Sequence, residues 1–204
     1  MYTALVATSE SLRDLLRASF LADVGPGGLG TFFAGTMDVS LETPREMQGH
    51  QQGLSMWMYR VVRDETRLND PPRLRPLPSG GTQLIPPPLP LRLHYLLTPL
   101  VDAGPETEQR ILGRVLQVFH TRPVLSGADL RGDLTGTNAQ IQVRLESLSL
   151  DETSRVWEGL GGDYQLCVSY EVSIANIDDD TPPLRASLVE SVHAGHAQMI
   201  GAPA

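Results

Sequence analysis

Residues 89–123 carry a change of period that constrains the fold more than any other stretch of the chain. Over Leu89–Leu97 the apolar residues Leu89, Leu91, Leu93, Tyr95 and Leu97 recur at every second position, with Pro90, Arg92 and His94 between them. That is a strand with one buried face. From Glu106 the repeat becomes helical, and Ile111, Leu112, Val115, Leu116 and Phe119 make one stripe that runs to His120. Pro105 stands near the first helical position, where its missing N–H costs nothing. Glu106 and Glu108 oppose the positive end of the helix dipole, His120 and Arg122 lie at the negative end, and Pro123 prevents continuation.

The rest of the chain is read outward from this cassette. Residues 2–21 predict an amphipathic helix with Leu5, Leu12, Leu15, Leu16 and Phe20 on its buried stripe, stopped by Gly25-Pro26-Gly27-Gly28. Met37–Glu42, Ile141–Glu146 and Tyr164–Ile174 alternate as half-buried strands. Leu54–Val62 is apolar on both parities, with Leu54, Met56 and Met58 on one face and Trp57, Tyr59 and Val61 on the other. Such a strand is central or covered on its second side. Ser149 and Glu152 have capping-box spacing, which predicts a short helix running to about Gly159. Residues 69–90, with seven prolines before Leu89, predict an extended surface loop. Gly127–Gly136 reads as loop.

One-sided strands with irregularly spaced helices predict an α+β domain: a mostly antiparallel sheet with helices packed on one face. It is expected to occupy residues 1–178. A C-terminal tail, 179–204, is expected to order only on assembly, with one strand or helix at Leu184–Val192.

Composition narrows the function. Net charge is −8 and all 16 basic residues are arginine, so the chain lacks the basic run that phosphate neutralisation requires, and nucleic acid is not an expected partner. No stretch approaches the roughly 20 apolar residues of a membrane helix, so no membrane is expected either. Charged residues at Glu10, Arg13, Asp14 and Arg17 break any signal-peptide core, and assembly in the cytoplasm is expected.

No chemical constellation emerges, so catalytic residues, cofactors and metals are all expected to be absent. The glycine-rich run Gly25–Thr31 follows a helix and has no lysine for a phosphate loop, so it reads as a flexible loop. His193 and His196 lack further ligands, and Asp178–Asp180 lacks EF-hand spacing. There is no G-x-S-x-G elbow. Cys167 is expected mid-strand, with nothing local to activate it.

Several blocks resemble, in order, the N-terminal domain of contractile injection-system cap, or tail terminator, proteins of the virulence-cassette type. They are Pro88–Pro99, Glu108–Gln117 with His120–Leu125, Leu145–Trp157 and Tyr164–Asp178. The helix at 2–21 and Leu54–Arg63 agree in type and place. The Gly25–Gly35 stretch is unusually glycine-rich, and the tail beyond Asp178 has no counterpart. The resemblance implies a phage tail-terminator-like fold and a structural role: a ring, expected to be hexameric, that ends the inner tube and sheath and stabilises the extended sheath. Implied partners are copies of the chain itself, the sheath and inner tube proteins, and a paralogous cap protein. The assembled particle could remain cytoplasmic, attach to a membrane or be released. A tail adaptor at the baseplate or within the tube is the structural alternative. A binding module or enzyme with an unrevealed site is the alternative of another class. Arg60, Arg63, Arg67, Arg73 and Arg75 are the candidate assembly interface, since arginine suits paired contacts with carboxylates. The 69–88 loop and the 178–204 tail are expected to reach a neighbour or the sheath.

Overall fold

The computed structural model describes residues 2–67, 71–77, 82–177 and 184–186. It divides into two compact units, one of residues 1–69 with 88–178 and one of residues 70–87 with 179–204.

The first unit is built on a six-stranded sheet ordered β1-β2-β5-β8-β7-β6. Its strands are β1 (Met37–Ser40), β2 (Gln52–Arg63), β5 (Leu89–Leu100), β6 (Val124–Ser126), β7 (Gln140–Glu146) and β8 (Val168–Ile177). β1 runs parallel to β2 and every other pairing is antiparallel. Gly53 pairs with Asp38 across the parallel strands at φ +131°, and a Cβ there would stand 2.1 Å from the Asp38 carbonyl oxygen. Only glycine fits that conformation and that gap.

Two long helices cover one face: α1 (Ala4–Leu21) and α4 (Pro105–Thr121). Leu12, Leu16 and Phe20 from α1 and Ile111, Val115 and Phe119 from α4 meet Leu93, Tyr95 and Leu97 of β5, Met56 of β2 and Val172 of β8 in one core. The small polar residues buried in α1 are satisfied within the helix: Thr8 donates to the Ala4 carbonyl and Ser11 to that of Ala7. Burial pushes the Tyr95 phenol up to about 12, and its hydroxyl meets Ser9 Oγ at 2.8 Å. The α+β class and the mostly antiparallel sheet are thus observed, with the two long helices on one face. Two shorter helices, α3 (Pro44–Met47) and α5 (Leu150–Leu160), add partial cover on the second face, joined by Arg45 donating to the Leu160 carbonyl. Both begin in capping boxes, Thr43 with Glu46 and Ser149 with Glu152.

Several expectations are corrected. The glycine-rich segment is not loop throughout: α2 (Gly30–Gly35) forms because Phe33 stacks on Phe20, ring centroids 4.2 Å apart. β2 carries a bulge, with Met58 paired to Tyr95 and Arg60 to His94, so Tyr59 is the extra residue. Val61 therefore pairs with Leu93, on the core parity, and not with Trp57 and Tyr59. The strand expected from Tyr164 begins at Val168, which places Cys167 before the strand and not inside it. Gly127–Gly136 contains two 3-10 turns, preceded by the short strand β6.

In the second unit, β3 (Arg73–Pro76), β4 (Thr82–Ile85) and β9 (Leu184–Ala186) form an antiparallel sheet ordered β3-β4-β9. The expected extended loop is thus partly a hairpin. Pro76 ends β3, and Pro71, Pro72 and Pro86–Pro88 flank the short strands, where few ladder donors are needed. Asp178–Asp180, His193, His196 and the remainder of Leu184–Val192 lie outside the described residues.

Candidate assembly surface

The second face of the main sheet collects the polar residues that alternate with the core. Register sets Arg144, Glu171, His94 and Arg60 in one row across β7, β8, β5 and β2, with Glu146, Ser169, Leu96 and Trp57 in the next. Cross-strand neighbours at this spacing interact directly. Arg144 and Arg92 reach the Glu171 carboxylate at 3.2 and 3.5 Å, and Arg92 also donates to Asp64 at 2.7 Å. The result is a ladder of alternating charge from the β7 edge to the end of β2.

Two carboxylates anchor it. The side chain of Asp64 is only 6% exposed. The Arg92 guanidinium, with Thr66 donating through both N–H and hydroxyl, holds its carboxyl down at about 2 despite burial. Burial pushes the Glu146 carboxyl up. Donation from Ser169 at 2.7 Å and the His94 ring at 3.1 Å outweigh that, so it rests below the usual carboxylate range. Burial, opposed by its bond with Ser169, raises the Tyr59 hydroxyl, which donates to Glu146 at 3.1 Å. His94 Nε2 and Arg92 Nε are buried without partners among the described residues. These groups are engaged with one another across the strands, and Glu146 and Ser169 also line a groove beside α5.

At the end of this face lies a groove of about 390 Å³ between α5 and the β7–β8 strands, lined by Leu96, Leu145, Leu148, Leu150 and Tyr164. Leu145, Leu150 and Tyr164 are 55%, 71% and 53% exposed. Burial raises the Cys167 thiol beside it, so the one cysteine is not an activated nucleophile. Among the described residues the sheet edge is open here too. Val143 donates to the Pro123 carbonyl on the β6 side at 2.8 Å. By alternation the Leu145 main chain faces that same side, past the last β6 pairing at Val124↔Gln142.

The arginines singled out in the sequence fall in both units. Arg60 and Arg63 are exposed on β2, opposite His94 and Leu91, so they face opposite sides of the sheet. Arg67 ends a 3-10 turn. Arg73 and Arg75 lie two residues apart on β3, Arg75 exposed, while the Arg73 side chain is outside the described part. Sequence reading missed Asp64, Arg92, Glu146 and Glu171. The available signal was the i,i+2 spacing of polar residues on three strands: Arg92-x-His94, Arg144-x-Glu146 and Ser169-x-Glu171. Among the described residues no cluster of potential metal ligands forms, and no helix is long and apolar enough to cross a membrane.

Solved structures share this fold. The sheath/tube terminator of an extracellular contractile injection system, PVC, in its extended state is 18% identical and superposes with a TM-score of 0.59, over 96% of this chain and 64% of that one. The tube terminating cap of the anti-feeding prophage is 19% identical, with a TM-score of 0.63, over 92% of this chain and 60% of that one. The chain therefore spans less than two thirds of the length of these proteins. No curated protein matches it. The family model of the Pvc16 N-terminal domain matches residues 7–191, and the chain belongs to that family.

Proposed function

We propose that this chain is a structural cap of a contractile injection system, forming a ring that ends the inner tube and sheath and stabilises the extended sheath. The observation that carries the reading is the shared fold, across more than nine tenths of the chain, with two proteins described as terminators of such particles. In this reading the chain is not an enzyme and needs no cofactor or metal. Its partners are further copies of itself, six to a ring, the last layers of tube and sheath, and a paralogous cap where the particle has one. Assembly takes place in the cytoplasm. The exposed strand edge at Leu145 and the 69–88 and 178–204 segments supply contacts to neighbours.

The test is loss of the gene in a host that makes the particle, followed by electron microscopy. A cap predicts tubes and sheaths of uncontrolled length, with the labelled protein at the end distal to the baseplate. Label at the baseplate or along the lumen, with lengths unchanged, would identify an adaptor instead. Deleting residues 69–86 tests the loop: rings and particle lengths that stay normal would remove it from the contact.

A further inference from the structure

Helix α4 presents an outer face that no described element packs over, touched only where Arg110 donates to the Gly27 carbonyl at 3.2 Å and, at its flank, where Arg114 donates to that of Ser19 at 3.1 Å. Gly113 lies mid-helix, opposite the buried stripe of Ile111, Val115 and Val118, and is exposed. A Cβ there would meet nothing within 4 Å, so no packing among the described residues calls for glycine. Glycine in a helix interior costs on the order of 1 kcal/mol against alanine. What glycine does provide is close approach of another backbone. Its helical neighbours on the same face are Gln109, Arg110, Leu116, Gln117 and His120, and Leu116 is 37% exposed. Beside them a groove of about 270 Å³ opens between the ends of α1 and α4, lined by Arg114, Gln117 and Arg122 among others. The sequence from Gln109 to Ala128 carries Arg110, Arg114, His120 and Arg122 and no carboxylate. In a chain of net charge −8 that is a concentrated cationic face.

The matching anionic face is on the same molecule. From Glu146 to Asp163, across α5, the sequence holds five carboxylates and one arginine, Arg155. Glu146 is bonded to His94 and Ser169, Glu152 to Ser149, and Arg45 reaches the Leu160 carbonyl, so Glu158 and Asp163 are the exposed acidic pair at the end of the helix. Arg155 is already paired with Asp151 at 2.8 Å. α5 has its own exposed glycine, Gly159, which also has no atom within 4 Å of a Cβ and lies opposite the buried Trp157. The two helices cover opposite faces of the sheet, so one copy cannot join them to each other. A row of copies can.

We propose that the outer face of α4 docks on α5 of the next copy, helix against helix at the glycines and cation against anion around them. The contact is head-to-tail, and such contacts close into rings when the rotation permits. This rests on the ring reading above and adds which surfaces meet. Opposite potentials would steer the approach and reject the wrong register.

The experiment uses the full chain, alone and on particles, with ring content read by native mass spectrometry and negative-stain imaging. Gly113→Leu should melt no lower than the parent, since its side chain meets open space, and should lose rings by about tenfold or more, given the cost of an obstructed interface. Arg110→Glu with Arg122→Glu, or Glu158→Arg with Asp163→Arg, should each reduce rings comparably. All four reversals in one chain should restore them, because each swapped face then meets a swapped partner. Parent-like rings from every variant would overturn this contact while leaving the cap reading intact. A lower melting point for monomeric Gly113→Leu would place a segment of the same chain on α4 and overturn it too. Normal rings that no longer cap particles would assign the face to the tube or sheath, again against this proposal. If the parent forms no ring in solution or on particles, the cap reading itself fails and takes this one with it.

Discussion

At the scale of single residues, Gly53 and Asp64 do the most specific work. Gly53→Ala adds a Cβ to a backbone at φ +131° with a carbonyl oxygen 2.1 Å away. Strain and displacement of β1 together should cost at least about 3 kcal/mol, visible as a large drop in the urea midpoint. Asp64 links stability to acid. Its folded carboxyl sits at about 2 against an ordinary 3.8, so its contribution is present above about pH 4 and lost as pH falls toward 2. The shift corresponds to roughly 2 kcal/mol. Asp64→Asn should remove that amount at neutral pH and flatten the stability profile between pH 4 and 2, measured by urea titrations at several pH values. Neither role was legible in the sequence. A glycine before an apolar run and an aspartate after one look ordinary until the parallel pairing of β1 and the reach of Arg92 are known.

At the scale of elements, more could be read in advance. The period change at 89–123, the stripe of α1 and the Ser149–Glu152 spacing each gave an element in its place, because local periodicity and capping chemistry are set within a few residues. The failures were non-local. The β2 bulge, which turns Val61 to the core parity, depends on pairing with β5. The late start of β8 leaves Tyr164 outside the strand, where it packs edge-on against Trp157 of α5, ring centroids 6.3 Å apart. The candidate surface was legible only as polar alternation on separate strands, since register decides which charges meet. For α5 the expectation is specific. Ser149→Ala removes the hydroxyl that accepts from the Glu152 N–H and should cost about 1 kcal/mol. The Ser149 N–H and hydroxyl also hold the Glu152 carboxyl below its usual range, so the box persists into mild acid and is lost as pH falls further. If α5 docks on a neighbour, ring content should fall in parallel with helix fraying, followed by circular dichroism and native mass in the same samples.

At the scale of the whole molecule, the sheet joins distant parts of the chain. β5 lies between β2 and β8, and Leu97 pairs with Val168. On the ribosome, β2 and β5 can pair as soon as both have emerged, but β8 lies some seventy residues further on. At roughly 5–20 residues per second, several seconds pass in which β5 shows a bare edge beside an unfinished core. A nascent strand rich in leucine, with its backbone unpaired, is a template for the wrong chain. A polypeptide truncated at residue 165 is therefore expected to pellet on centrifugation where the full chain stays in the supernatant. The order of strands in the sheet thereby sets a period of dependence on chaperones during synthesis, before the protein can meet any partner of its own.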